Sequence, residues 1–469
     1  MKEKIEALRD SAKVQKALQF IQEDADHIVE QQVELALIPA YSNHEEKKAA
    51  RFREMIEEMG YETMQDEVCN TFAVIPGPEG SPVVMVSAHL DTVFPLETEL
   101  KYKKEGSRIC IPGICDDTRG CAEVLGILRA MKEADIRPAC TLLIGGDVGE
   151  EGVGNFRGMR HIFNVQGKKV DAFVSIDGCG SNLTYGGVSD TQFRIIFRGP
   201  GGHSMGAFGI VNPIMCMGRT IARIAEEREP EDPFTIFNVS TVTGGTGVTS
   251  IASECSLTMD VRSADADVMR SFRTRCLAIA HECADEEYAR WEEERKRLSG
   301  RNTGKRFNYE AKITLDYEEI GGSIGGVQDE NCEIVTILKN AFAAAGIEPV
   351  MRSLSSTDAN IPLSVGIPAA TISCGGTSGG THDISEWYDP TDAYHGVQKN
   401  LLCVLALTGV EGLAEPLISK PRQHNQKHKT AGTACCFVMV ISACFRESSE
   451  KIFRKKYRSE QRADQGIYR

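Results

Sequence analysis

Apolar positions recur along this chain with two different periods. Over 2–60 the spacing is helical: Val29, Val33, Ala36 and Leu37 share a face just before Ile38 and Pro39, and the proline ends that helix. Ser42 followed by Glu45 has the form of a capping box and predicts a helix over 43–59, closed by Gly60. Short unbroken apolar runs then alternate with helical segments. The runs 72–75, 83–88, 141–146 and 172–176 predict strands. The segments 119–134, with Val124, Leu128 and Met131 on one face, and 155–164 predict helices. Strands that are apolar throughout, separated by helices, imply a sheet covered on both sides.

From about 190 the pattern changes. Residues 192–198 alternate apolar and polar, as a strand with one wet face does. A helix over 212–228, strands near 234–243 and 255–262, a charged helix over 266–298, a polar loop over 299–308 and a strand over 311–318 follow. The β-α-β-β-α-β order predicts a ferredoxin-like α+β insert. The α/β pattern resumes with a helix over 329–345 and runs to about 415. The expected organisation is a discontinuous α/β domain, 1–189 and 322–415, an insert, 190–321, and a tail, 416–469.

Composition changes this picture in three places. With 41% hydrophobic and 26% charged residues among 469, the chain reads as an ordinary soluble protein of two or three domains. It opens without an apolar signal segment, and no window reaches the length of a membrane-spanning helix, so a cytoplasmic location is expected. The net charge of −14 is uneven: residues 420–469 carry 12 Lys/Arg and 4 Asp/Glu, against 41 and 63 in residues 1–419. An acidic body argues against nucleic acid as a partner. The basic tail, with a short apolar stretch over 433–445, reads as a disordered extension, the alternative being a segment lying on an anionic membrane. The 16 cysteines contain no C-x-x-C pair and read as reduced thiols. Cys110, Cys115 and Cys121 fit no common thiolate metal site.

The candidate chemistry sits just past the apolar strands. In order it is His89 (with Asp91), Asp116, Glu150, Glu151, Asp177 and His382. Each has an ordinary structural reading alone: a satisfied turn histidine, a helix cap, a solvated turn. Residues two apart on a strand face the same way, so Asp91 can reach the His89 ring and hold its tautomer. Asp116 can bridge two ions through its two oxygens, with Asp117 capping the next helix. Glu150 and Glu151 are adjacent carboxylates that repel one another and serve no structural need; a metal held by Glu151 resolves the conflict and leaves Glu150 as a base. That all fall beyond the carboxyl ends of strands in an α/β pattern is the strong signal. The set suggests two divalent metals and one free carboxylate, the equipment of a hydrolase.

Read together, these pieces resemble the di-zinc hydrolase family of peptidase T, glutamate carboxypeptidase, aminoacylase, acetylornithine deacetylase and succinyl-diaminopimelate desuccinylase. The matching motifs are S-A-H-L-D-T-V (87–93), G-I-C-D-D-T-R-G (113–120), G-E-E-G (149–152), S-I-D-G (175–178), G-P-G-G-H-S (199–204), D-V-R-S (260–263) and the segment 356–387, all within roughly 20–415. The resemblance implies a zinc-exopeptidase-like mixed sheet flanked by helices, with an inserted dimerisation domain. It implies that His89 and Asp177 hold one metal, Glu151 and His382 the other, and Asp116 bridges them through a cis Asp116–Asp117 peptide. Zinc is the implied ion, with cobalt or manganese accepted by the same donors. Asp91 then supports His89, Glu150 is the general base, and His203 of the insert reaches a second subunit's site in a homodimer.

Arg262, Thr249 and Asn360 are the candidate substrate contacts. Thr249 stands where the family often carries Asn, and Gly321–Gly326 lacks an arginine the family often has at the return from the insert. Both departures bear on substrate and leave the metal chemistry intact. The expected reaction is metal-dependent cleavage of an amide or peptide bond in a short substrate, a di- or tripeptide ahead of an N-acyl amino acid. A non-catalytic metal-binding homologue is the alternative of another class; a chain retaining all five ligands and Glu150 argues against it.

Overall fold

The computed structural model describes residues 1–420, apart from 168 and 300–310. The tail beyond 420 lies outside the described residues, and so do the readings attached to it.

Both predicted periods appear. An eight-stranded mixed sheet runs, edge to edge, Thr63–Gln65, Thr71–Ile75, Thr141–Asp147, Val83–His89, Ala172–Cys179, Ala369–Cys374, Asn182–Thr184 and Val350–Arg352. Its four central strands are mutually parallel. The alternation within each strand explains the unbroken apolar runs. Val84, Val86, Leu142, Ile144, Val174 and Ile176 point into one hydrophobic core. Met85, Leu143 and Phe173 point into a second core on the opposite face. The first core is closed by the helices Thr118–Glu133, Glu333–Ala344 and Tyr394–Thr408 and by the N-terminal helices.

The insert forms a separate antiparallel sheet, ordered Thr235–Gly244, Glu254–Ser263, Ser189–Arg198, Thr314–Gly321. In chain order this is 2-3-1-4, the ferredoxin-like arrangement. One face is apolar: Phe193, Ile195, Phe197, Leu257, Met259 and Val261 pack under the helices Pro213–Ile224 and Ala266–Ser299. The polar alternate positions of the first strand lie on the other, wetter face. Among the described residues no helix is long and apolar enough to cross a membrane.

Two expected elements differ. The capping box does not form: the helix starts at Glu46 behind an uncapped Glu45, and the Ser42 hydroxyl instead donates to Asp91 Oδ2 at 2.7 Å and to Glu151 O at 3.1 Å. Glu45 accepts from Asn43 N and Arg157 Nη2, which holds the same loop. The helix expected over 155–164 is broken into a 3₁₀ turn Gly152–Gly154, an α turn Arg157–Arg160 and a π turn His161–Val165. Asn155 and Phe156 separate them with φ of 51° and 54°, an unusual left-handed pair. The 3.6-residue apolar period survives the break, which is why the sequence reads as one helix.

Candidate metal centre

Parallel strands that end together bring their next residues together, and this sheet does so with acids and histidines. His89 is the last residue of Val83–His89, and its Cα partner across the sheet is Asp147, the last residue of Thr141–Asp147. The loop after Asp147 carries Glu150 and Glu151, and Ala172–Cys179 carries Asp177. Asp116 lies on the turn into Thr118–Glu133. Gly120 lets that helix start close to the sheet: a Cβ there would meet Ile176 O and the Asp117 carboxylate at 2.5 Å. His382 sits in the turn between the short strands Thr377–Gly379 and Trp387–Asp389.

Asp116 stands between the two histidines. Its Oδ1 is 3.0 Å from His89 Nε2 and its Oδ2 is 3.1 Å from His382 Nε2. Glu151 Oε1 is 2.7 Å from His382 Nε2. Two groups of donor atoms lie within 4.8 Å of one another, His89–Asp116–Asp177 and Asp116–Glu151–His382, and Asp116 belongs to both. Glu150 approaches with His89 and Glu151 in a third group. The Asp116–Asp117 peptide is cis.

Behind these donors is a layer of acceptors. Asp91 was expected to hold the His89 ring by its carboxylate; Nδ1 is closer to the Asp91 main-chain oxygen, 3.1 Å, than to the carboxylate, 3.6 Å. The carboxylate also clamps the neighbouring loop, accepting from Glu150 N at 3.0 Å, Glu151 N at 3.1 Å and Ser42 Oγ. Asp117 caps its helix through Gly120 N and accepts from His89 N. Glu386 is fully buried and accepts from Gly113 N, Cys115 N and Asp116 N at 2.8, 2.8 and 3.1 Å, so it shapes the loop that presents Asp116. Ser42 and Glu386 were missed in the sequence. Glu386 lies in the quoted H-D-I-S-E-W run, but its partners are 270 or more positions away.

Electrostatics say what the cluster lacks. Burial, then the Asp116 charge, lifts Asp177 to about 7. Burial, with Glu151 and Asp177 beside it, holds Glu150 well above the ordinary 4.5 against the pull of His89. Hydrogen bonds to Asp116 and Glu151 raise His382 to about 10. Burial works against charge on His89, yet its bonds to Asp116 and Asp91 outweigh it and hold the ring well above 6.5. Deeper still, burial lifts Asp147 to about 6 and, with the Asp147 charge next to it, Asp358 further. None of the ion pairs at Asp116, Glu150, Glu151 or Asp177 involves a lysine or arginine. Hard oxygen and imidazole donors crowded together, with no arginine or lysine paired to them among the described residues, fit two divalent cations sharing Asp116.

The donors open into a cavity of ≈ 250 Å³, whose walls include Glu150, Asn155, Phe156, Asp190, Gln192, Arg262, Gly322 and Ser356. Arg262 lies on this wall, with Nε bonded to Asp260 Oδ2 at 2.9 Å. His203 and Thr249 are absent from these walls. They lie together on an exposed ribbon, His203 opposite Ser250 in register and Ser204 N bonded to Thr249 O. Asn360 does not face the cavity. It is fully buried and donates to Val188 O at 2.9 Å and Ser323 Oγ at 3.3 Å, bracing the junction between sheet and insert in place of the expected substrate contact. Asp190 and Gln192, on the first strand of the insert, carried no sequence signal beyond alternation.

The family described as peptidase family M20/M25/M40 matches residues 85–404. The chain belongs to this family, and it is a metallohydrolase. Its fold is that of aminopeptidase PepT from Bacillus cereus (TM-score 0.64, 18% identity, 81% of this chain and 98% of that one). A tripeptidase from Staphylococcus aureus is equally similar (TM-score 0.64, 18% identity, 81% and 97%). The Bacillus subtilis YXEP protein, described as a dinuclear metal-binding peptidase, superposes at TM-score 0.55 with 16% identity over 82% of this chain and 99% of that one. No curated protein matches the sequence.

Proposed function

We propose that the chain hydrolyses the peptide bond of di- or tripeptides at a two-zinc centre, with Glu150 as general base. One observation carries the reading: Asp116 offers one oxygen to each histidine-bearing donor group, while Glu150 shares the cavity and bonds to neither histidine. His89 and Asp177 would hold one ion and Glu151 and His382 the other. When bound, two such ions supply Lewis acidity to an attacking water and to the scissile carbonyl.

The chain's own groups supply the rest. Glu150 is a carboxyl whose proton affinity is raised by burial, as suits a group that takes a proton from water and returns it to the leaving amine. The acids of the cavity wall suit an α-ammonium group, and Arg262, the one arginine or lysine among the described residues of that wall, suits a carboxylate. His203 Nδ1 accepts from Met205 N and Gly206 N, both at 3.3 Å. Its proton is therefore on Nε2, and the exposed ring offers a donor there. In a homodimer built through the insert, that donor would reach the partner's cavity and help hold the developing oxyanion.

Replacing Glu150 with Gln or Ala should leave both ions bound and lower turnover by about 10²–10⁴-fold. Metal content and kcat, measured on a panel of di- and tripeptides beside N-acetyl amino acids, test both halves. Near-normal turnover by the Glu150 variant would discard the mechanism. Preference for N-acetyl amino acids would make the enzyme a deacylase.

A further inference from the structure

Cys115 directly precedes Asp116, and Cys179 follows Asp177 by two residues. These are the two carboxylates grouped with His89. The two sulfurs, 64 positions apart in the chain, lie 2.8 Å from each other. A disulfide bond is about 2.05 Å long, so closing it needs an approach of less than about one ångström. We propose that Cys115 and Cys179 are a dithiol oxidation site, and that forming their disulfide weakens the metal centre beside it.

The surroundings decide which side gives way. Cys115 is buried, and its main-chain N–H and that of Asp116 are both held by Glu386. Cys179 is half-buried, and it lies between Gly178 and Gly180, whose φ values of 71° and 112° suit glycine. The Cys179 side is therefore the more accessible and the more yielding. Cys374 is fully buried on the adjacent strand, with its Cα paired to that of Cys179, and is a competing thiol.

The chemistry balances with a hydroperoxide as oxidant. The Cys179 thiol reduces hydrogen peroxide, becoming a sulfenic acid and releasing one water. The Cys115 sulfur then displaces the sulfenic hydroxyl, which leaves with the Cys115 proton as a second water, and the S–S bond forms. A dithiol such as dithiothreitol returns both electrons and both protons.

Closing the bond draws the end of the strand Ala172–Cys179, and with it Asp177, toward the Asp116 loop. Ligand geometry tolerates displacements of only about 0.5 Å, so the ion held through Asp177 is the one loosened. Coupling is reciprocal: bound metal then opposes formation of the disulfide.

The test uses the full chain, loaded with zinc or stripped with a chelator, under stoichiometric hydrogen peroxide. Non-reducing peptide mapping should find a Cys115–Cys179 cross-link that forms faster in the stripped protein. Zinc per chain should fall in the oxidised loaded protein, activity on the best peptide should fall by about tenfold or more, and dithiothreitol with zinc should restore both. Cys179→Ser should keep basal zinc content and activity and resist peroxide. Mapping and zinc content require no turnover, so they stand apart from the substrate assignment. Absence of the cross-link, a Cys179–Cys374 cross-link in its place, or a cross-link that leaves zinc content unchanged would each overturn the proposal. Mapping of the unsubstituted protein decides the first two even if the variant fails to fold.

Discussion

The two halves of the candidate site are built differently. On the sheet side the segments that carry His89, Asp116, Glu150 and Glu151 are held from behind: Asp91 takes three hydrogen bonds, Asp117 two and Glu386 three, all from buried positions. On the insert side, Arg262 has a side chain 37% exposed and a single carboxylate partner, and His203 and Thr249 stand on an open ribbon. Ligand distances must be right before any substrate arrives, so the sheet side is rigid in advance. In the proposed reading, recognition is completed when a substrate, or a second copy, covers the insert side. Chemistry and selection would then lie on two sheets with separate cores.

That contrast can be broken from either side. After the Glu150 variants, the largest effect is expected from His203→Ala, about 10²–10³-fold in kcat with metal content unchanged, as for loss of one oxyanion donor. Mixing that variant with Glu150→Ala should recover activity if the imidazole is supplied across a dimer. Activity that stays flat on mixing would place His203 within its own subunit or outside the reaction.

Next comes Glu386→Ala, which leaves three N–H groups behind the Asp116 loop without their acceptor. We expect a metal affinity lower by about 10–100-fold, the usual cost of losing support behind a ligand. A lower Tm should accompany it, the unpaired groups costing about 1–3 kcal/mol each. Unchanged affinity in a competition titration with a chelating dye would mean the sheet side is less dependent on its braces than the geometry says. Arg262→Ala should act on recognition alone, raising KM about 10-fold or more for peptides with a free carboxylate while kcat changes little, the signature of lost uniform binding. A fall in kcat with KM unchanged would move Arg262 into the chemistry.

The smallest effect is a proton count. In the metal-free site Asp177 titrates at about 7 and His382 at about 10, so near pH 7 the site carries protons that an ion must displace. Both values are raised, so protons compete with the ion at both groups more strongly as pH falls, and metal affinity should weaken from pH 8 to pH 6. Calorimetry in buffers of different ionisation enthalpy should report net proton release. A binding heat independent of buffer would contradict the crowded, uncompensated charge.

Much of this architecture was legible in the chain. The strand runs and the βαββαβ insert could be read from local periodicity, and His89, Asp116, Glu150, Glu151, Asp177 and His382 could be singled out as candidates because each stands in a short motif; the structure brings them together. The misreadings share another cause. Ser42 and Glu45 have the spacing of a capping box, yet the Ser42 hydroxyl found a buried carboxylate 49 positions away. Asn360 sits in a motif that looks like a binding segment, yet its amide is consumed by Val188 and Ser323. In both cases a partner from a distant segment won over the local one, because a buried polar group takes whichever acceptor or donor the fold brings within reach.

The kinds of element, the candidate donors with their proposed sharing of Asp116, and the family thus come from short-range periodicity and from motifs a few residues long. The tertiary structure alone shows that Glu386 shapes the Asp116 loop, that Arg262 reaches the cavity wall from another sheet, and that Cys115 and Cys179 meet. Those facts depend on strand order. The central strands lie in space as Thr141–Asp147, Val83–His89, Ala172–Cys179, Ala369–Cys374, an order different from that along the chain. No local pattern records that crossing; it is set by how buried faces pack around two cores.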